Sequence, residues 1–187
     1  MEDVHKLRVI NRLKSVHRSN SVDGRKESSA EHSWSCLLLA DYFLTKFPRE
    51  IDRLRVYELL MYHDMIEIET GDLPLSPNSR KLGKGDIGEA AGRLEGRLPH
   101  PISGKFIALF REFEEQKTIE SRFAKAVDAL DAEIHELDYK GDWKGWTREF
   151  LVESKLRFFD EFPEMKGMFE KMLEYLVENG YFEKYSR

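Results

Sequence analysis

Apolar positions recur at three- and four-residue steps over most of the chain, the spacing of side chains on one face of a helix. Ser28-x-x-Glu31 has the spacing of a capping box, and behind it Trp34, Leu37, Leu38, Tyr42 and Leu44 repeat near helical period until Pro48 stops the run. A second helix is predicted over about 51–69, with Leu54, Leu59, Leu60, Tyr62 and Ile66 as its apolar face and Gly71 at its end. The polar stretch SPNSRKLGKGDIGEAAGRLEGRLPHP reads as a loop followed by a short helix over about 86–97. Another helix runs from about Ile102 to Glu115. The next begins near Ile119, and Phe123, Val127, Leu130, Ile134 and Leu137 keep its step. YKGDWKGW breaks the pattern before two C-terminal helices, near 146–160 and 164–178. Strand-like alternation never exceeds four residues, and there is no internal repeat. The expectation is an all-α, single-domain bundle of six to eight helices across residues 1–187. Its motif-bearing core covers about 7–140, with the C-terminal helices (about 146–178) packing on it or forming an interface.

Composition narrows the function classes. A chain of 187 residues suffices for one real core, and 41% hydrophobic against 35% charged residues is an ordinary globular balance. The formal net charge of −5 and scattered cations, the densest being Arg80-Lys81 and Lys84, argue against a nucleic-acid polymer as partner. A single phosphate needs only one or two well-placed cations. Cys36 is the only cysteine, so an internal disulfide and a Cys-rich zinc site are excluded, and any metal must rest on histidines and carboxylates. MEDVHKLRVI carries two acids and no apolar core, unlike a signal peptide, and the longest apolar run, Cys36–Ala40, is far too short to span a membrane. A soluble, cytoplasmic protein without a membrane partner is expected.

Candidate chemistry concentrates in LLMYHDMIEIETGDLP, residues 59–74, where an apolar helix pattern is interrupted by one histidine and four acids. On a helix His63 and Asp64 can converge on one ion, and Glu67 lies one turn beyond His63 on the same face. Two ligands do not hold a divalent ion, so further donors must come from elsewhere. His32, just behind the capping box, and Asp128, beside core-facing Val127, are the candidates; Asp131 rivals Asp128, and spacing does not choose between them. His17 is expected to face solvent, His135 to pair structurally with Asp131, and Glu69 to face solvent. Trp143 and Trp146 either stack on a base or, the commoner role, pin the break onto the core or a partner chain. The stripe Met165, Met168, Phe169, Met172, Leu173 and Leu176 reads as core or dimer interface.

As an ordered set, LKSVHRSNSVDGRKESSAEHSW, LLMYHDMIEIETGDLP and FAKAVDALDAEIHEL resemble the HD-domain superfamily of metal-dependent phosphohydrolases, and more narrowly its 5′-deoxynucleotidases. The resemblance implies that His32, His63, Asp64 and Asp128 hold one divalent cation (Mn2+, Co2+, Mg2+, Zn2+, Ni2+ or Fe2+), Lys125 marking Asp128 as the fourth ligand. It implies Glu67 as catalytic acid–base group, Asp72 as an active-site acid next to the substrate, and Arg18 as the group that orients the phosphate. Ser19, Leu73, Pro74 and Leu75 then line the nucleoside side; Ser19 departs from the Arg-Trp pair of some bacterial members. The implied activity is hydrolysis of (deoxy)ribonucleoside 5′-monophosphates by a homodimer. Neighbouring readings are a phosphohydrolase of another small phosphorylated metabolite or a dNTP, and a catalytically silent nucleotide-binding regulator.

Overall fold

Four of the helices begin where a short polar side chain, Ser28, Asp52, Thr118 or Thr147, accepts one of the first free backbone N–H groups. The structure, a computed structural model, describes residues 1–75 and 83–182; the predicted loop at 76–82 lies outside the described residues. Helix α1 (Glu2–Ile10) passes through a 3₁₀ turn (Asn11–Ser15) into a two-stranded antiparallel hairpin, β1 (His17–Val22) and β2 (Arg25–Ser28). This hairpin adds a strand element where only helices were expected. Its strands are short and polar, so they carry no hydrophobic alternation. Its turn, Asp23-Gly24, adopts φ of 43° and 79°, the paired positive values that a two-residue hairpin loop requires, and sequence reading passed over it.

Ser28 then caps α2 (Ser29–Leu44) in the capping box read from sequence: the Glu31 N–H donates to Ser28 Oγ at 3.3 Å, and the Ser28 N–H to the Glu31 carboxylate at 2.8 Å. The predicted face of α2 packs inward only in part: Leu44 is buried and Leu37 packs against the core. Trp34, Leu38 and Tyr42 are exposed (63%, 56% and 47%), whereas His32, Ser33, Cys36, Ala40 and Phe43 are buried. A polar histidine anchors the inner face, so the most apolar stripe and the buried stripe differ.

The second predicted helix is divided. Asp52 caps α3 (Arg53–Tyr62), leaving Leu54 exposed; a 3₁₀ turn follows at His63–Ile66, then a single turn, α4 (Glu67–Thr70). Gly71, at φ 69°, ends it and donates its N–H to the Glu67 carbonyl at 2.8 Å. The remaining helices are α5 (Lys84–Arg97), α6 (Ile102–Glu115), α7 (Ile119–Glu136), α8 (Arg148–Lys155) and α9 (Pro163–Glu178), with 3₁₀ turns at Lys140–Trp143 and Leu156–Phe159. Among the described residues eight helices thus have eight residues or more, and the bundle is all-α apart from the hairpin.

α2, α3 and α7 pack on one another, with Leu59, Leu60, Ala124, Val127 and Leu130 fully enclosed, and one continuous apolar cluster extends from this trio to α9. Met165, Phe169, Met172, Leu173 and Leu176 belong to that cluster, so the C-terminal stripe is core. Trp143 is wholly buried and donates Nε1–H to the Glu136 carbonyl at 2.9 Å, which pins the break onto α7. No helix among the described residues is long and apolar enough to cross a membrane.

Candidate metal centre

The capping box sets His32 in the first turn of α2, wholly buried against α7. Its Nδ1 lies 2.9 Å from Asp131 Oδ2, which also accepts from Ser35 Oγ at 2.6 Å, and its Nε2 lies 3.0 Å from Asp128 Oδ1. The two acids that sequence spacing left as rivals therefore take opposite nitrogens of one ring. Asp131 fixes the ring from behind, and Asp128 stands on the side where the other candidates meet. His135 makes no pair with Asp131; its Nε2 lies 2.7 Å from the Ser21 carbonyl and ties β1 to α7.

His63 opens the 3₁₀ turn with Nδ1 at 2.8 Å from the Leu60 carbonyl oxygen. A carbonyl only accepts, so Nδ1 carries the hydrogen and the Nε2 lone pair points away. That Nε2 is buried without a hydrogen-bond partner, 3.2 Å from Asp64 Oδ1 and 3.7 Å from Asp128 Oδ1. A buried lone pair facing two carboxylates lacks a positive group, and a cation supplies it. Donor atoms of His32, Cys36, His63 and Asp128 lie within 4.8 Å of one another, a spread compatible with bonds of about 2 Å to one central ion. The residues present thus fit a divalent metal. Cys36 is the member that sequence reasoning left out. Burial pushes its thiol up to about 12, so without a metal it keeps its proton. Despite its burial, Asp128 is held well below the usual carboxylate range by Lys125, whose Nζ donates to Oδ2 at 2.9 Å, and by the two histidines.

Arg18, on β1, reaches over this cluster. Its Nη1 donates to Asp64 Oδ2 at 3.4 Å, and its Nε stands 3.3 Å from Glu27 Oε2 without the alignment of a hydrogen bond, so both atoms stay unpartnered and buried. Burial opposes its charge, but Asp64, Asp128, Asp72 and Glu67 together raise its pKa above the ordinary value. Glu27, a buried acid on β2, was missed by sequence reading because its strand was missed. Glu67 Oε2 accepts from Ser29 Oγ at 2.5 Å; burial and the neighbouring Asp64 carboxylate push it up to about 8. Burial also raises Asp72, whose Oδ2 accepts the Ser19 N–H at 3.2 Å. Glu69 does not face solvent: it pairs with Arg97 and, at 3.6 Å, with Arg93, joining α4 to α5.

A cleft of about 480 Å³ opens beside the cluster. Arg18, Ser19, Asp64, Glu67, Asp72, Leu73, Pro74, Leu75 and Asp128 all line it, whereas His32 and His63 stand behind its wall. Its far side is built by residues sequence reasoning assigned no role: Asn20, Glu133, Glu136, Lys155, Arg157 and Phe158. Exposed His17 stays outside it.

A protein-family model described as HD domain matches residues 10–166. The chain is 28% identical over 138 residues to the 5′-deoxynucleotidase HDDC2 of Xenopus laevis, spanning 72% of this chain and 67% of that protein. It is 25% identical over 174 residues to the protein of the same name from Danio rerio, spanning 90% and 84%. A solved structure described as a predicted metal-dependent phosphohydrolase, from Magnetospirillum magnetotacticum MS-1, superposes with a TM-score of 0.86 at 27% identity, over 98% of this chain and 95% of that one.

Proposed function

This chain belongs to the HD-domain family, and on that premise we propose that it is a metal-dependent phosphomonoesterase that hydrolyses deoxyribonucleoside 5′-monophosphates to nucleoside and phosphate. The observation that carries the reading is the unpartnered, buried Nε2 of His63, facing Asp64 and Asp128 beside an arginine whose Nε is also unpartnered. The lone pair asks for a cation; Arg18 lines the cleft beside it and can face an anion there, although its Nε already stands against Glu27. The names of the relatives from Xenopus laevis and Danio rerio support the nucleotide class.

In this reading His32, His63, Asp64 and Asp128 hold one divalent ion, which when bound acidifies a water and offsets charge on the phosphoryl group. Arg18 clamps the phosphate oxygens, a planar fork that a lysine does not reproduce. Glu67, within reach of the Asp64 side of the cleft, orients the attacking water and takes its proton. Asp72, whose burial favours the protonated form, gives its proton to the departing 5′-oxygen. Ser19, Leu73, Pro74 and Leu75 flank the nucleoside. Lys125 keeps Asp128 ionised and adds positive charge to the phosphate end.

Phosphate release from dNMPs, NMPs and dNTPs, measured on chelated protein re-supplied with Mn2+, Co2+ or Mg2+, tests the proposal. Metal-dependent release from monophosphates is expected. No release from any monophosphate with any of the three metals overturns it.

A further inference from the structure

The cleft continues past the metal cluster along one face of α7. Asp128, Ala129, Ala132, Glu133 and Glu136 all line it, positions that share a helical face. At 1.5 Å rise per residue, Glu133 and Glu136 lie about 7 and 12 Å along the axis from Asp128. That is the direction and reach of the far end of a nucleoside whose 5′-phosphate sits at Asp128 and Arg18.

What stands there is incompletely satisfied. Glu133 is 1% exposed; its Oε1 pairs with Lys155, whose Nζ also donates to the Ala129 carbonyl at 3.0 Å, but its Oε2 has no partner. Glu136, 6% exposed, accepts from Asn20 Nδ2 at 2.8 Å through Oε1. Lys155 and Asn20 are thus already committed, and Glu133 Oε2 is the oxygen of this wall left without a donor. A buried carboxylate oxygen left without a donor is costly, so a ligand that brings N–H groups to this wall is favoured over one that brings carbonyls. Trp146, on the same cleft, supplies an apolar surface beside the acids.

Resting on the nucleotidase reading, we propose that Glu133, supported by Glu136 and Asn20, forms a base-recognition subsite that accepts hydrogen bonds from the exocyclic amino group of the substrate's base. Cytosine and adenine present such an amino group. Uracil and hypoxanthine put a carbonyl at the same position, which a carboxylate repels and which leaves Glu133 Oε2 unpaired.

Matched pairs that exchange the amino group for a carbonyl, and with it the adjacent ring nitrogen from acceptor to N–H, test it: dCMP against dUMP, and dAMP against dIMP, with metal-loaded full-length protein. kcat/KM is expected to favour the amino member of each pair by roughly ten- to hundredfold. In Glu133→Gln and in Glu136→Gln, which keeps an oxygen for Asn20, the ratio is expected to fall toward one. CMP against dCMP reads the sugar separately. A ratio near one in the wild type, with monophosphates still hydrolysed, overturns the subsite and leaves the nucleotidase reading standing. So does a wild-type ratio that persists in the variants. Should Glu133→Gln fail to fold with Lys155 unpaired, Glu136→Gln decides. If no monophosphate is hydrolysed, the nucleotidase reading falls. Equilibrium binding of dCMP against dUMP then tests the subsite by itself, equal affinities refuting it.

Discussion

Glu67→Gln separates the two things that environment does to one side chain. The substitution keeps the volume and an oxygen for Ser29 Oγ but removes the titrating carboxyl. In the chelated protein Glu67 sits at about 8 against an ordinary 4.5, because burial and Asp64 disfavour its charge. The unfolded chain loses this proton near 4.5 and the folded chain keeps it to about 8, so between those values the folded state binds more protons. Stability from this group is therefore fully present below about 4.5 and is lost as pH rises toward 8. At 1.36 kcal/mol per pH unit the full interval corresponds to about 5 kcal/mol; with Asp64 and Asp72 sharing the field, about 2–4 kcal/mol is expected for Glu67 itself. Glu136, also pushed up to about 8 by its burial and by Glu133, adds a similar slope to both proteins and cancels in their difference. Urea denaturation of chelated wild type and variant at pH 5, 6, 7 and 8 measures that difference. The variant should gain on the wild type steadily as pH rises, while its metal-supported kcat falls about 10²–10⁴-fold. A wild-type kcat in the variant, or a stability difference that is flat across this range, refutes the reasoning.

Other outcomes follow from the same geometry. Asp131→Asn should weaken metal binding about 10- to 100-fold by loosening His32, whereas Asp128→Ala should abolish it; the reverse order in a metal titration reassigns the fourth ligand. Arg18→Lys should lower kcat/KM about 10²-fold with metal affinity retained, since the fork that reaches both Asp64 and the phosphate is lost; an unchanged kcat/KM removes Arg18 from phosphate binding. Lys155→Met strands Glu133 in the interior and should cost about 3–5 kcal/mol in urea denaturation, with no change there marking the pair as dispensable. The exposed stripe Trp34, Leu38 and Tyr42 is the surface expected to be covered in a homodimer. Sedimentation should show a dimer that Leu38→Glu dissociates, and a wild-type monomer ends that expectation.

Helices α6 and α7 were legible to their first residues, because long amphipathic segments declare their period. The order Glu-His, His-Asp, Lys-x-x-Asp was legible as a set. Asp128 and Asp131 could not be ranked by spacing, since both lie one turn apart on α7 and the choice depends on the orientation of a ring on α2. The hairpin hid because its strands are polar, and with it went Glu27, the acid beneath Arg18. The buried face of α2 was misread in part because His32 and Ser33 look like surface residues until α7 covers them. Glu133 and Glu136 fit an ordinary amphipathic pattern, and only the closure of the C-terminal helices over them reveals that they line a cleft.

The hairpin has one further consequence. It buries little apolar surface of its own; Asp23 N–H is held by Tyr139 Oη at 3.1 Å, Ser21 by Asp142 at 2.6 and 2.9 Å, and the Ser21 carbonyl by His135 at 2.7 Å. Every one of those anchors follows the last metal-ligand candidate in the chain. The segment that contains the recognisable motifs is therefore not the segment that can stand alone. A fragment ending near residue 134 keeps all four metal-ligand candidates, Arg18 and the contacts of Arg18 and Ser19 to Asp64 and Asp72, yet it loses the three side chains that fasten the far end of the hairpin at Ser21 and Asp23. Motif content and mechanical integrity part company there: the chain beyond residue 137 carries none of the three motifs, yet its Tyr139 and Asp142 hold the hairpin that bears the phosphate clamp.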